Sequence, residues 1–154
     1  PKSDLYELDI GGNPISDVGL IALAGALAYS SLCILLMSLE QITDVGIQAL
    51  AEALPGSNIE TLNLGGVRIT DFGAQALATA LPGSNLKRLC LQECQITDVG
   101  AQVLVSALPD SKLEMLNLAD NAITMLSAAQ IDELYKSGRM MDMPANKRAR
   151  NSTH

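Results

Sequence analysis

Hydrophobic residues recur along the chain with a period of 27, and five copies of the pattern stay in register. Near the start of each copy, apolar and polar residues alternate in a short run, which predicts a strand with one buried face. Each run has the form L-x-x-L-x-L, and the five runs start at Leu5, Leu32, Ile59, Leu86 and Leu113. An isoleucine follows a few residues after each run, for example Ile42 and Ile69.

A helix is predicted after each strand, where the chain reads Ser or Thr, Asp, any residue, Gly, as in residues 70–73. The hydroxyl can cap the first free N–H groups of a helix, and the aspartate lies at the positive end of the helix dipole. Proline follows the last leucine of three of these helices and ends them. In the third copy, one stripe at helical spacing predicts burial of Phe72, Ala76, Leu77, Ala80 and Leu81.

A single unit of 27 residues is too small to fold alone, because a few buried aliphatic side chains do not offset the entropy of ordering it. Stacking the units puts strand beside strand and helix beside helix. Since helices are wider than strands, the stack should curve. We therefore predict a right-handed α/β solenoid of five repeats shaped like a horseshoe, with a parallel sheet on its concave face and helices on its convex face.

The ends of the chain differ from the repeats. The fifth copy loses the Asp and the Gly after Thr124, as expected of a C-terminal cap. Residues 139–154 contain four basic residues and one acidic residue. We expect a repeat domain over residues 1–138 and a flexible basic tail over residues 139–154.

No charged residue occurs from Val18 to Leu39, a run long enough for a membrane helix. The repeat phase divides this run into a helix, a turn and a strand, so we predict no membrane span.

The composition argues against catalysis. The only histidine is His154, so a held imidazole, as in a Ser-His-Asp site or a His-rich zinc site, is excluded. We expect no catalytic residue, no metal and no cofactor. With no Trp, one Phe, three Tyr and a net charge of −7, the chain has little to offer nucleic acid. Its three cysteines fit reduced thiols, which favour the cytoplasm or the nucleus.

The repeats L-x-x-L-x-L-x-x-(N/C)-x-I and T-D-x-G-x-x-x-L-x-x-A-L resemble leucine-rich repeats of the ribonuclease-inhibitor type, over residues 5–135. The resemblance implies that the ninth position carries Asn or Cys, whose side chain binds the backbone of the neighbouring turn. These side-chain bonds form a ladder that links neighbouring repeats. Here Glu40 and Val67 depart from the pattern, which puts the regularity of this ladder between the second and third copies in question. The five residues at this position are Asn13, Glu40, Val67, Cys94 and Asn121.

A protein partner is expected on the concave face, where the strand positions between the buried leucines point outward. The second copy is unusual because Ile34, Leu36 and, just beyond the strand, Leu39 present apolar side chains there. An apolar centre with a charged rim is typical of an interface. The predicted partner-binding residues are Glu7, Asp9, Ile34, Leu36, Leu39, Thr61, Asn63, Arg88, Cys90 and Met115.

The N-terminal edge is a second candidate surface. The first helix has apolar residues, including Leu20 and Ile21, where we expect later helices to expose glutamines such as Gln48. Either further repeats precede this edge or a partner covers it.

These observations favour a non-catalytic interaction module or scaffold. Two alternatives remain open: a regulator resembling the Ran GTPase-activating protein, and a structural subunit of a large assembly such as an axonemal or organellar complex.

Overall fold

The computed structural model describes residues 4–38 and 41–124, which form alternating strands and helices. The strands are β1 (Glu7–Asp9), β2 (Ile34–Leu36), β3 (Thr61–Asn63), β4 (Arg88–Cys90) and β5 (Met115–Asn117). The helices are α1 (Asp17–Leu27), α2 (Asp44–Ala53), α3 (Asp71–Ala80) and α4 (Asp98–Ala107). Prolines Pro55 and Pro82 lie within short 3-10 turns, Leu54–Gly56 and Leu81–Gly83, that directly follow α2 and α3.

The five strands form one parallel sheet in chain order, β1 to β5. Each strand residue pairs with the residue 27 positions further along, so that Leu8, Leu35 and Leu62 lie side by side. The central leucine of β2 to β5 is buried, and its two neighbours in the strand are more exposed. The predicted α/β solenoid with one buried sheet face is therefore confirmed.

The core lies between this sheet and the row of helices, and it is almost entirely aliphatic. Because α1 ends at Leu27 and β2 begins at Ile34, the uncharged run is divided as the repeat phase predicts. Within the described ranges, every helix is too short or too polar to cross a bilayer.

The Ser/Thr-Asp-x-Gly motif joins consecutive repeats in addition to starting helices. As predicted, the Thr70 hydroxyl accepts a hydrogen bond from the Phe72 N–H at 3.3 Å. The Asp44 carboxylate of the preceding helix accepts from the Thr70 N–H at 2.9 Å, from the Thr70 hydroxyl, and from the Gly73 N–H at 3.0 Å. One aspartate thus binds three donors of the next repeat.

The same arrangement explains why the motif ends in glycine. A Cβ atom at Gly73 would lie 2.5 Å from Asp44 Oδ1, so a larger residue there would force the carboxylate to shift. Asp17 and Asp71 repeat the three hydrogen bonds one junction earlier and one later. Asp98 binds the N–H and the hydroxyl of Thr124.

The ladder implied for the ninth position is present at two junctions. Asn121 donates to the Leu91 carbonyl at 2.6 Å, and Cys94 donates through Sγ to the Leu64 carbonyl at 3.5 Å, each 30 residues back along the chain. Cys94 therefore replaces the asparagine as a donor. Val67 is buried and has no polar side-chain atom to offer.

Two predicted positions are wrong. Phe72 is 82 % exposed, because the residue after the helix-starting aspartate points away from the sheet. Leu20 is fully buried instead of lying on the outer side of α1, because it occupies the same position in its repeat as the buried Ile47 of α2. The predicted cap beyond Thr124, the tail over residues 139–154, and the side chains of Leu39 and Glu40 lie outside the described residues.

Candidate functional site

The outward face of the sheet consists of two rows of side chains, which we call the sheet face. The register places Glu7, Ile34, Thr61, Arg88 and Met115 in one row. The second row consists of Asp9, Leu36, Asn63, Cys90 and Asn117. The nine described residues predicted from sequence to bind a partner on the concave face therefore share one continuous surface, together with Asn117.

Three polar residues of the second row are committed to local structure. Asp9 Oδ1 accepts a hydrogen bond from the Gly11 N–H at 2.9 Å. Asn63 and Asn117 do the same for the residue two positions on, at 3.0 and 2.9 Å. These side chains hold the turn that leaves each strand. This role was not inferred from the sequence, although the polar residue at the end of β1, β3 and β5 is a signal for it.

Ile34 and Leu36 form the apolar centre of the sheet face, and both are half-buried. Acidic side chains of β1 stand on one side of them, and the hydroxyl and amide of Thr61 and Asn63 stand on the other. Because the strands of a sheet are about 4.8 Å apart, an apolar group of a partner that covers β2 also reaches both neighbours.

Charge is unevenly distributed on this face. Lys87 and Glu60, at the entrance to the strands, form an ion pair of 2.9 Å. The hydrogen bond to Glu60 and its negative charge raise the pKa of the exposed Lys87. Glu7 and Asp9 on β1 and Arg88 on β4 are exposed. The sheet face therefore carries acidic groups at its first strand and a guanidinium at its fourth.

Two of the three cysteines, Cys90 and Cys94, are at least partly shielded from solvent. Burial raises the pKa of the half-buried Cys90 thiol and raises that of Cys94 to about 11. Such thiols are protonated, and therefore poorly nucleophilic, at neutral pH. In the described ranges, there is no group of three or more residues able to hold a metal ion.

The N-terminal edge is more apolar than its counterparts in the interior. Ile21 is 45 % exposed at the repeat position that Gln48 occupies in α2. Leu5 and Tyr6 are exposed as well, and neither was predicted from the sequence as part of this surface. The strand pattern places Leu5 with the buried leucines, so its exposure depends on the neighbours that the edge lacks among the described residues.

Comparison with known proteins agrees with this architecture. A family model described as leucine-rich repeat matches three segments, residues 3–24, 57–78 and 84–105. The chain has the leucine-rich repeat fold. The three matched segments each contain a strand and the start of the following helix, so the family pattern and the observed elements coincide. None of the curated proteins matches this chain by sequence.

Solved structures with a similar fold include two whose titles name leiomodin-1 and tropomodulin. A structure titled leiomodin-1 actin-binding site 2 aligns with a TM-score of 0.71 and 19 % identity, covering 88 % of this chain and 79 % of that one. The C-terminal domain of tropomodulin from Caenorhabditis elegans aligns with a TM-score of 0.71 and 17 % identity, covering 88 % of this chain and 83 % of that one. At this identity, the likeness concerns the fold.

Proposed function

We propose that this leucine-rich repeat chain is a non-catalytic interaction module that holds a partner protein on its sheet face, with its N-terminal edge as a second contact. The observation that carries the proposal is the half-exposed pair Ile34 and Leu36 at the centre of a polar and charged face. Apolar groups surrounded by a polar rim are the usual composition of a protein interface. The sheet itself is held by the core on its other side, so the face is rigid before binding.

Actin is the first partner to test, because one solved structure with a similar fold is titled an actin-binding site. The predicted absence of a cofactor, a metal and a nucleic-acid partner belongs to the same proposal. Free cysteines at positions 33, 90 and 94 favour a reducing compartment, and on that basis we propose the cytoplasm.

The proposal is tested with Leu36→Asp, which places a charge at the centre of the sheet face. We would measure the binding of this variant and of the wild-type chain to filamentous and monomeric actin. Partners are also captured with both chains from native extract. Val99→Asp is the matched control, since Val99 is an exposed apolar residue on the helix side.

We expect Leu36→Asp to weaken partner binding at least tenfold and Val99→Asp to leave it unchanged, because a charge at an apolar interface centre must lose its hydration. Equal binding by Leu36→Asp and the wild-type chain would contradict the proposal. If actin fails to bind while another captured protein shows the Leu36 dependence, the module stands and actin is excluded as its partner.

A further inference from the structure

The chain's only phenylalanine lies on the outer side of the helices, and the core separates it from the sheet face. Phe72 is 82 % exposed at the start of α3, while the large aliphatic residues around the core are closed off from solvent. A phenylalanine this exposed contributes little to the core. Large exposed apolar side chains next to a concavity are typical of binding sites.

An open groove of about 480 Å³ follows α2 and α3 beside this ring. We call it the Phe72 groove. Its lining includes Phe72, Ala76 and Ala80 of α3 and Ala51 of α2, with Gln48 and Glu52 of α2 adding polar groups. The small alanines leave room between the two helices, and the phenylalanine adds an apolar wall.

Comparison of α3 with α4 indicates that the fold does not require this arrangement. Residues 70–77 and 97–104 are identical except at two positions, where Phe72 corresponds to Val99 and Ala76 to Val103. The helix α4 forms normally with the two valines. Compared with α4, α3 has a larger residue at the exposed position 72 and a smaller one at position 76. Both differences enlarge the apolar groove.

The backbone of the groove determines what kind of segment fits. Along α2 and α3 the N–H and C=O groups are bonded within the helices, so they offer nothing to an incoming strand. A helix satisfies its own backbone and can lay an apolar face in such a groove. Apolar residues at positions i, i+3, i+4 and i+7 span about 10 Å, which fits beside a helix of ten residues, about 15 Å long.

Charge adds a second requirement. Glu52 is the one charged residue among the described residues that line the groove, and neither α2 nor α3 contains a lysine or arginine. Lysine or arginine beside the apolar face of the bound segment therefore complements the groove. We propose that the Phe72 groove binds an amphipathic helix of a partner protein with an apolar face flanked by Lys or Arg. This surface lies on the helix side, so it can be occupied together with the sheet face.

The test uses a synthetic 14-residue helix with Leu at i, i+3, i+4 and i+7 and Lys beside them, titrated with the full chain by fluorescence anisotropy. A peptide with Glu in place of Lys and a peptide of scrambled order are the controls. The chain variant is F72V/A76V, which gives α3 the sequence of α4 over residues 70–77 and should therefore fold. Circular dichroism and thermal unfolding verify that it does.

We expect the Lys/Leu peptide to bind at least tenfold more weakly to F72V/A76V than to the wild-type chain, and to bind Leu36→Asp as tightly as the wild type. Equal binding by F72V/A76V, no binding to the wild-type chain, or equal binding of the Glu peptide would overturn the proposal. Loss of binding in Leu36→Asp would place the peptide on the sheet face and overturn it too. If the small dye 1-anilinonaphthalene-8-sulfonate binds the groove and no peptide does, the groove takes a small apolar ligand instead.

Discussion

The first and third repeats have nearly the same pattern of apolar residues but bury it to different extents. Leu5 is 46 % exposed, whereas Ile59, at the same position in the third repeat, is fully buried. Ile15 is half-buried, whereas Ile69 is fully buried. The third repeat has a neighbour on each side, and the first has one among the described residues. In a stacked fold, a residue's burial depends on the neighbouring repeats as much as on its own position.

The junctions differ in the same way. Gly73 is buried beneath the carboxylate of Asp44, whereas Gly19, the equivalent residue of α1, is exposed. In the described part of the chain, no aspartate precedes Ser16 and Gly19 at the spacing that binds Thr70 and Gly73.

Truncation of the central strand leucine should have a much larger effect in the third repeat than in the first. Leu62→Ala leaves a cavity in a closed core, and we expect it to lower the free energy of unfolding by about 3–4 kcal/mol. Leu8 is half-buried, and we expect Leu8→Ala to lower it by about 1 kcal/mol. Urea unfolding followed by circular dichroism measures both. Equal losses would mean that the edge is covered in solution.

Removal of a junction aspartate should be the next largest effect. Asp71→Ala deletes the acceptor of the Thr97 N–H, the Thr97 hydroxyl and the Gly100 N–H, and Gly100 is buried. We expect a loss of about 2–3 kcal/mol in the free energy of unfolding. Asp110→Ala, in an exposed turn, is the control and should change it by about 0.5 kcal/mol or less. A small effect of Asp71→Ala would show that water replaces the carboxylate.

Adding a methyl group to the glycine of the motif should lower stability more in the third repeat than in the first. Gly73→Ala brings Cβ against Asp44 Oδ1 and Ile69, and we expect a loss of about 1–2 kcal/mol in the free energy of unfolding. Gly19→Ala meets only the half-buried Ile15, and its better helix propensity offsets part of the strain. We expect its effect to be smaller than that of Gly73→Ala in the same urea experiment. The reverse order would contradict the role given to Asp44.

Replacing the Cys94 thiol should have the smallest effect on stability, and the effect should appear mainly at high pH. Burial raises the pKa of Cys94 to about 11, above that of an exposed thiol at about 8.5. The unfolded chain therefore ionises first, so this contribution is complete below pH 8.5 and is lost as pH rises towards 11. We expect Cys94→Asn, which restores the residue found at Asn121, to change stability little at pH 7 and to flatten its decline above pH 8.5. Thermal unfolding of both chains between pH 7 and 11 tests this, and an unchanged decline would contradict it.

The fold could be predicted because the information is local and repeated. Alternation in a segment such as residues 86–91 defines one strand, and Thr97 with Asp98 defines the start of one helix. Five copies in register leave few other ways to bury the leucines. The sheet-face residues followed from the same alternation, because every second side chain in a strand must point away from the core.

Three features could not be found in this way. The stripe in α3 placed Phe72 in the core, because a stripe at helical spacing is wide and its border residues can point either way. Leu20 and Ile21 are adjacent in sequence, yet consecutive helix residues point about 100° apart, so only Ile21 reaches the outer side of α1. The aspartate contacts left a trace in the sequence, since Asp44, Thr70 and Gly73 recur at the same offsets, but the offset alone does not say which repeat the carboxylate binds.

The sequence by itself determined the repeat, the alternation of strand and helix, and the aliphatic core, since each depends on residues close together in the chain. Only the tertiary structure decided which apolar residues remain exposed, which carboxylate meets which amide, and where a groove opens between two nearly identical helices. These features depend on distances between side chains about 27 residues apart, and such distances are fixed when the repeats stack.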